Sequence, residues 1–163
     1  MNQSKNLTSP IQEIYVKLRY LLKQKQWQLA DLETRKLMLV IAEADQREDI
    51  LLTEADLKIF PCIHLRTIDQ LWVNSSQEKF GFSLIYKIYQ EENKDYFRLA
   101  KRVGWYDENQ WIQYETINFS ENAPSGHLPL TWLVPTTFGI YWSARFASAG
   151  WRRLLDRFEQ CHL

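Results

Sequence analysis

Five side chains of this sequence could ligate a soft metal: Cys62 and His64 in the stretch FPCIHLRTIDQLW, then His127, Cys161 and His162. Structural zinc sites recruit four Cys or His ligands at tight paired spacings. No CxxC or HxxxH pair occurs, so a metal centre is not expected. His64 and His127 remain as isolated imidazoles able to meet a haem iron, a role nothing around them signals. Cys62, just ahead of an amphipathic run, reads as a small buried residue. The two cysteines lie far apart in the chain, and a disulfide is not expected.

Other catalytic chemistry finds little support. There is no GxSxG elbow, and with only 5 glycines there is no phosphate-cradling loop. No two of the 20 acidic residues are marked as a hydrolytic pair. The stretch TTFGIYWSARFASAGWRR is different. It sets Phe138, Tyr141, Trp142, Phe146 and Trp151 among Arg145, Arg152 and Arg153, with Gly139 and Gly150 as joints. Rings that cover a plane and guanidinium forks that grip acids would suit a flat ligand bearing carboxylates. The same strip could stack single-stranded nucleic acid or meet a partner protein. In KFGFS, Gly81 stands between Phe80 and Phe82. It is read either as a tight entry to a helix with both rings in the core, or as a device that turns one ring to a ligand. In GHLP, His127 is expected to bond to backbone.

The elements that would hold these groups are mostly helices. Ile11, Ile14, Tyr15, Leu18, Leu21 and Leu22 recur at helical spacing to about Lys25, and a second helix is expected from Trp27 to about Ala44. Thr53 followed by Asp56 predicts a capped short helix that stops before Pro61. Leu65, Ile68, Leu71 and Trp72 form one face of a helix from His64 to Val73, with Arg66 and Asp69 able to pair across its other face. Further helices are expected over Ser83–Glu92 and Tyr96–Arg102, with a small hairpin within 103–114. The apolar stretch from Leu130 to Ile140 is ambiguous. Gly150–Gln160 reads as a final helix with Trp151, Leu154, Leu155 and Phe158 on one stripe. Short helices and lengthy loops predict a compact, irregular all-α domain over 11–163, after a polar lead-in at 1–10.

The totals agree. The 163 residues suit one domain, and 45% hydrophobic content fills a core. Aromatics reach 14%, with 7 Trp, which fits a filled core or a concave surface for a flat ligand. Lys plus Arg and Asp plus Glu are both 20, without the basic excess of a nucleic-acid binder. The first residues lack the apolar core of a signal peptide and no run spans a bilayer. A soluble protein of a cytoplasm or an organelle interior is expected.

Five blocks, LRYLLKQKQWQLADLETRKLML, FPCIHLRTIDQLWV, KFGFSLIYKIY, RVGW and APSGHLP, stand in an order and spacing that closely resemble the Genomes-Uncoupled-Four family of oxygenic phototrophs. The resemblance covers about residues 14–129, with the closing RLLDRFEQC matching more loosely. It implies an all-α domain likened to a cupped hand with a greasy concave face, no intrinsic cofactor and no enzymatic activity. Members bind protoporphyrin and magnesium-protoporphyrin and stimulate magnesium chelatase through its large porphyrin-binding subunit. The resemblance places Val73 and Phe82 on the palm, with Ile85 beside them, and matches a family tryptophan with Trp132. Family arginines in the last long loop hold propionates. Arg145 is chosen for that role, with Arg152 and Arg153 in reserve, and the aromatic strip read above adds Phe138, Tyr141 and Trp142 as rings.

There are departures. His64, expected to be an exposed residue at the helix start, stands where the family usually has an acid, and the last loop is unusually aromatic. The helical domain that precedes this core in cyanobacterial members, the transit peptide of plant members and their C-terminal extension have no counterpart. A stand-alone member is therefore expected, in a cyanobacterial cytoplasm or a plastid stroma, with peripheral contact to thylakoid membrane compatible with the family. The chief rival is a haem- or bilin-sensing protein with no chelatase partner. A tetrapyrrole-modifying enzyme and a nucleic-acid binder follow, the first lacking an acid–base pair and the second lacking net charge.

Overall fold

A computed structural model describes residues 13–47, 52–108, 110–130 and 143–163, with the side chains of 143–149 outside the description. Among the described residues there are seven α-helices, one 3-10 turn and a two-stranded ribbon. The all-α expectation holds.

Helices α1 (Val16–Lys23) and α2 (Trp27–Ile41) form a hairpin turned at Lys25, whose φ is +54°. The expected stripe of α1 is buried at Leu18, Leu21 and Leu22, and α2 buries Trp27, Ala30, Leu37 and Met38. Short α3 (Glu54–Ile59) begins as the Thr53 and Asp56 pattern requires. Thr53 Oγ1 accepts from Asp56 N at 3.2 Å, and Asp56 Oδ2 accepts from Thr53 N at 2.7 Å. The Arg47 fork and these donors hold the Asp56 carboxyl down to about 2.

Pro61 caps α4 (Cys62–Ser75), which buries Leu65, Ile68 and Trp72. Trp72 stacks on Trp27 with centroids 6.0 Å apart, and its indole N–H donates to Thr34 Oγ1 at 2.9 Å. Thr34 in turn donates to Ala30 O at 2.8 Å, so a buried indole and a buried hydroxyl satisfy each other. Then come α5 (Phe82–Glu91) and α6 (Tyr96–Arg102), the latter capped by the Asp95 carboxylate. The hairpin forecast within 103–114 is real but minimal: β1 (Tyr106–Asp107) pairs antiparallel with β2 (Gln110–Trp111). Helix α7 (Ser143–Gln160) closes the chain, with Trp151, Leu154, Leu155 and Phe158 buried against α3 and α5.

Four expectations need correction. Cys62 and Cys161 are joined in a disulfide, with Cα atoms 5.2 Å apart across 99 residues of sequence. Distance along the chain says nothing about distance in the fold when the last helix returns to the entry of α4. Arg66 does not pair with Asp69: it donates twice to Cys161 O, at 2.6 and 3.1 Å, while Asp69 turns inward. His64 is half-buried rather than exposed, its Nδ1 bonded to the Tyr15 hydroxyl. Burial lowers its proton affinity and raises that of Tyr15 to about 12. Gly150 is no joint; it is buried inside α7, which begins earlier than the sequence suggested.

The polar lead-in, Trp132, Phe138, Tyr141 and Trp142 lie outside the described residues. Arg145 falls on the α7 backbone with its side chain outside the description.

Candidate functional site

The Gly81 turn brings the first sequence candidates together. Gly81 has φ +147° and ψ +161°, a conformation open essentially to glycine alone. A Cβ here would lie 2.6 Å from Val73 Cγ2 and 2.8 Å from Asp69 Oδ1. The bare backbone thus lets the end of α4 press onto the start of α5, and Val73 and Phe82 flank that contact. The Asp69 carboxylate, whose proton affinity burial raises, accepts from Ser83 N at 2.8 Å and Ser83 Oγ at 2.9 Å, tying the two helices.

Residues 126–130 run alongside the turn. Gly126 N donates to Lys79 O at 2.9 Å, and Gly81 N donates to Leu128 O at 3.0 Å. The other flank of the segment is fastened to α2, where Asp31 accepts from Leu130 N and, at 3.1 Å, from the Tyr114 hydroxyl. Asp31 has no exposed surface, and burial pushes its carboxyl up to about 7 despite these two donors and the charge of Arg35. His127, also buried, bonds Val103 O through Nδ1 at 2.6 Å, as the GHLP reading expected, and the Trp105 indole donates to His127 O at 2.8 Å. Because Nδ1 carries the proton, Nε2 is left as a buried acceptor without a partner among the described residues, and Trp151 Nε1 is a buried donor without one among them.

Of the candidates, Val73 is partly exposed at the rim of the turn, whereas Phe82 and Ile85 are fully covered. The Phe82 ring rests on Phe158 of α7 at 4.9 Å. Both rings of KFGFS are therefore in the core. The two described arginines separate clearly. Arg153 is engaged by Glu54 at 2.9 Å and by Asp156 at 3.8 Å. Arg152 is exposed, lies over the Tyr96 ring at 5.8 Å, and has no carboxylate partner among the described residues. Tyr96 in turn stacks on Trp111, which meets Tyr106, so Arg152 borders an aromatic cluster that includes Phe97.

Two shallow grooves lie elsewhere. One of about 290 Å³ runs between α3 and α7 past Glu54, Lys58 and Arg153, and one of about 260 Å³ borders the hairpin. The first is lined largely by charged groups, and the second mixes Trp111 and Ile112 with acidic and amide side chains, unlike the apolar sites that take flat ligands. No cluster of metal-ligating side chains exists among the described residues.

Sequence reasoning missed Asp31. Its signal was present: it falls on the buried stripe of α2 beside Trp27, Ala30 and Thr34, where a carboxylate must have donors.

A family model described as GUN4-like matches residues 8–143. The Ycf53-like protein of Synechocystis sp. is 32% identical over 119 residues, covering 71% of this chain and 50% of that protein. The tetrapyrrole-binding protein of Arabidopsis thaliana chloroplasts is 32% identical over 114 residues, 63% of this chain and 42% of that one. The chain spans about half the length of the curated relatives it matches. The ligand-free structure of Arabidopsis thaliana GUN4 superposes with a TM-score of 0.65 at 23% identity, over 96% of this chain and 94% of that one. GUN4 from Chlamydomonas reinhardtii gives 0.66 at 24%, over 98% and 92%.

Proposed function

The chain belongs to the GUN4-like family, and from that premise we propose that it is a non-enzymatic tetrapyrrole-binding protein. Its ligand is protoporphyrin or magnesium-protoporphyrin, presented to magnesium chelatase through the large porphyrin-binding subunit. The observation that carries the reading is the Gly81 contact, which holds partly exposed Val73 at the rim of the turn that leads into the buried Phe82–Phe158 pair, beside residues 126–130.

A porphyrin is an apolar plane edged by two carboxylates. It needs a greasy support and one or two cations, and no acid–base pair. Val73 offers exposed apolar surface at the rim, and Phe82 and Ile85 stiffen it from below. Trp132, Phe138, Tyr141 and Trp142 are the proposed opposing rings. Arg145 remains the first choice for a propionate. Arg152 is the second, since Arg153 already serves Glu54 and Asp156.

The family name of the Arabidopsis relative supports a tetrapyrrole ligand, and a chloroplast or cyanobacterial setting suits the same reading. No described helix is long and apolar enough to cross a membrane.

The test is a spectral titration with protoporphyrin IX, magnesium-protoporphyrin IX, haem and a linear bilin, read in parallel by tryptophan fluorescence. Saturable porphyrin binding at micromolar concentration or tighter supports the reading, and stimulation of reconstituted chelatase then supports the partner. Binding of haem or bilin alone would turn the protein into a sensor. Arg152→Ala should weaken protoporphyrin about fivefold, the worth of a solvent-screened guanidinium–carboxylate bond, and leave the propionate dimethyl ester unaffected. Equal losses for acid and ester would remove Arg152 from the site.

A further inference from the structure

The Cys62–Cys161 bond is the one covalent tie between distant parts of the chain. Its two halves differ in access. Cys161 has no exposed surface, whereas Cys62 is partly exposed at the first turn of α4. Around Cys62 the surface is apolar: Ile59 is 75% exposed and Ile63 58%, with exposed Pro61 between them. Large aliphatic side chains this bare, on both sides of Cys62 in the sequence, have no covering partner among the described residues.

We propose that this pair is a reversible dithiol–disulfide site, reduced at the Cys62 sulfur by a CxxC-type dithiol protein that docks on the Ile59–Ile63 collar.

The chemistry balances with that reductant alone. Its thiolate attacks Cys62 Sγ, the sulfur of the more exposed of the two cysteines. The Cys62–Cys161 bond breaks, and Cys161 leaves as a thiolate that takes up a proton. A mixed disulfide now joins the reductant to Cys62. The second cysteine of the reductant attacks its own first sulfur and expels Cys62. Two electrons and two protons pass from one dithiol to one disulfide. The departing Cys62 thiolate stands at the positive end of a 14-residue helix, which favours the second step.

Reduction acts on the seat of α7. The end of that helix is held by Arg66 on Cys161 O, by Arg157 Nε on Phe60 O at 2.8 Å, by Lys94 on Glu159 at 2.8 Å, and by the disulfide. The first three can be made and broken by thermal motion; the fourth cannot. Phe158, three residues before Cys161, carries the Phe82 ring. Opening the bond therefore loosens the support under the rim. This last link, from redox state to porphyrin affinity, rests on the function proposed above.

The test takes the oxidised full chain and a thioredoxin-type protein whose second active-site cysteine is serine. The expected result is a trapped mixed disulfide on Cys62, located by peptide mass. With the intact dithiol protein, two alkylatable thiols should appear while the far-ultraviolet dichroism stays native. Amide exchange over 157–163 should speed up about tenfold in the reduced protein. Ile59→Ser with Ile63→Ser should slow reduction by the dithiol protein and not by dithiothreitol. A trap on Cys161, thiols released only in denaturant, or unchanged exchange after reduction would each overturn the proposal. Porphyrin should bind at least threefold more weakly, by rough expectation, after reduction. Equal affinity in both states would cut the link to the rim. If neither state binds porphyrin, the function proposed above fails, while the trap and the exchange still decide the redox site.

Discussion

The Phe82 ring is held from two sides, and the two sides are built differently. On one side the Gly81 turn closes through van der Waals contact and backbone bonds. No side chain but hydrogen fits there, the Asp69 carboxylate beside it is buried and bonded to Ser83, and nothing in it can be reduced away. On the other side Phe158 is positioned by the end of α7, held by a disulfide, two guanidinium–carbonyl contacts and a surface ion pair. The first arrangement is fixed by shape. The second is fixed by chemistry that solution conditions can change. A site built this way has one rigid wall and one adjustable wall.

The largest expected effect attacks the rigid wall. Gly81→Ala should cost about 3 kcal/mol or more, since the new methyl meets both Val73 and the Asp69 carboxylate in a backbone conformation alanine resists. Denaturant unfolding measures it, and a loss under 1 kcal/mol would mean that α4 and α5 separate easily. Next comes the adjustable wall. Cys161→Ser, or reduction of the wild type, should cost about 2–5 kcal/mol, because the bond closes a long loop in the unfolded chain. A smaller change would show that the remaining contacts seat α7 unaided.

Asp31 gives a third, intermediate effect. Its carboxyl is raised to about 7, so the folded protein holds a proton that the unfolded chain releases near the usual 4. Its contribution is present at low pH and is lost as pH climbs from about 4 to about 7. Asp31→Asn should therefore gain stability relative to wild type as pH rises through that window, by up to a few kcal/mol. Asp56 has the opposite sign: with its carboxyl lowered to about 2, its contribution is present above about 4 and is lost as pH falls toward 2. Melting curves of wild type and Asp31→Asn from pH 4 to 8 check the slope, and parallel curves would deny that Asp31 changes ionisation on folding. The smallest effect belongs to Lys94→Ala. Its ion pair with Glu159 is solvent-exposed, so the melting temperature should barely move and salt should erase the difference.

The sequence was most informative where local rules suffice. Thr53 with Asp56 announced α3, and the helical stripes through Leu65 to Trp72 and Trp151 to Phe158 marked the faces that became core. KFGFS announced a tight glycine turn, but left open which way the rings face. That choice depends on Phe158, 76 positions away, and no local pattern encodes it. The disulfide failed for the same reason, since only the return of α7 makes Cys161 a neighbour of Cys62. Arg152 and Arg153 are adjacent in sequence and equal in type, yet the helix sends one to an acidic partner and the other over a ring. Their difference belongs to what α7 packs against.

The pair of indoles at Trp105 and Trp151 has a consequence for spectroscopy. Their rings lie 4.7 Å apart at 36°, close enough for their ultraviolet transitions to couple and split. Trp151 rides on α7, so that coupled dichroic band is an optical gauge of how the helix sits. Trp27 and Trp72, 6.0 Å apart at 26°, make a second couplet away from that helix. The molecule therefore carries its own signal and its own reference, and both can be read without attaching a dye.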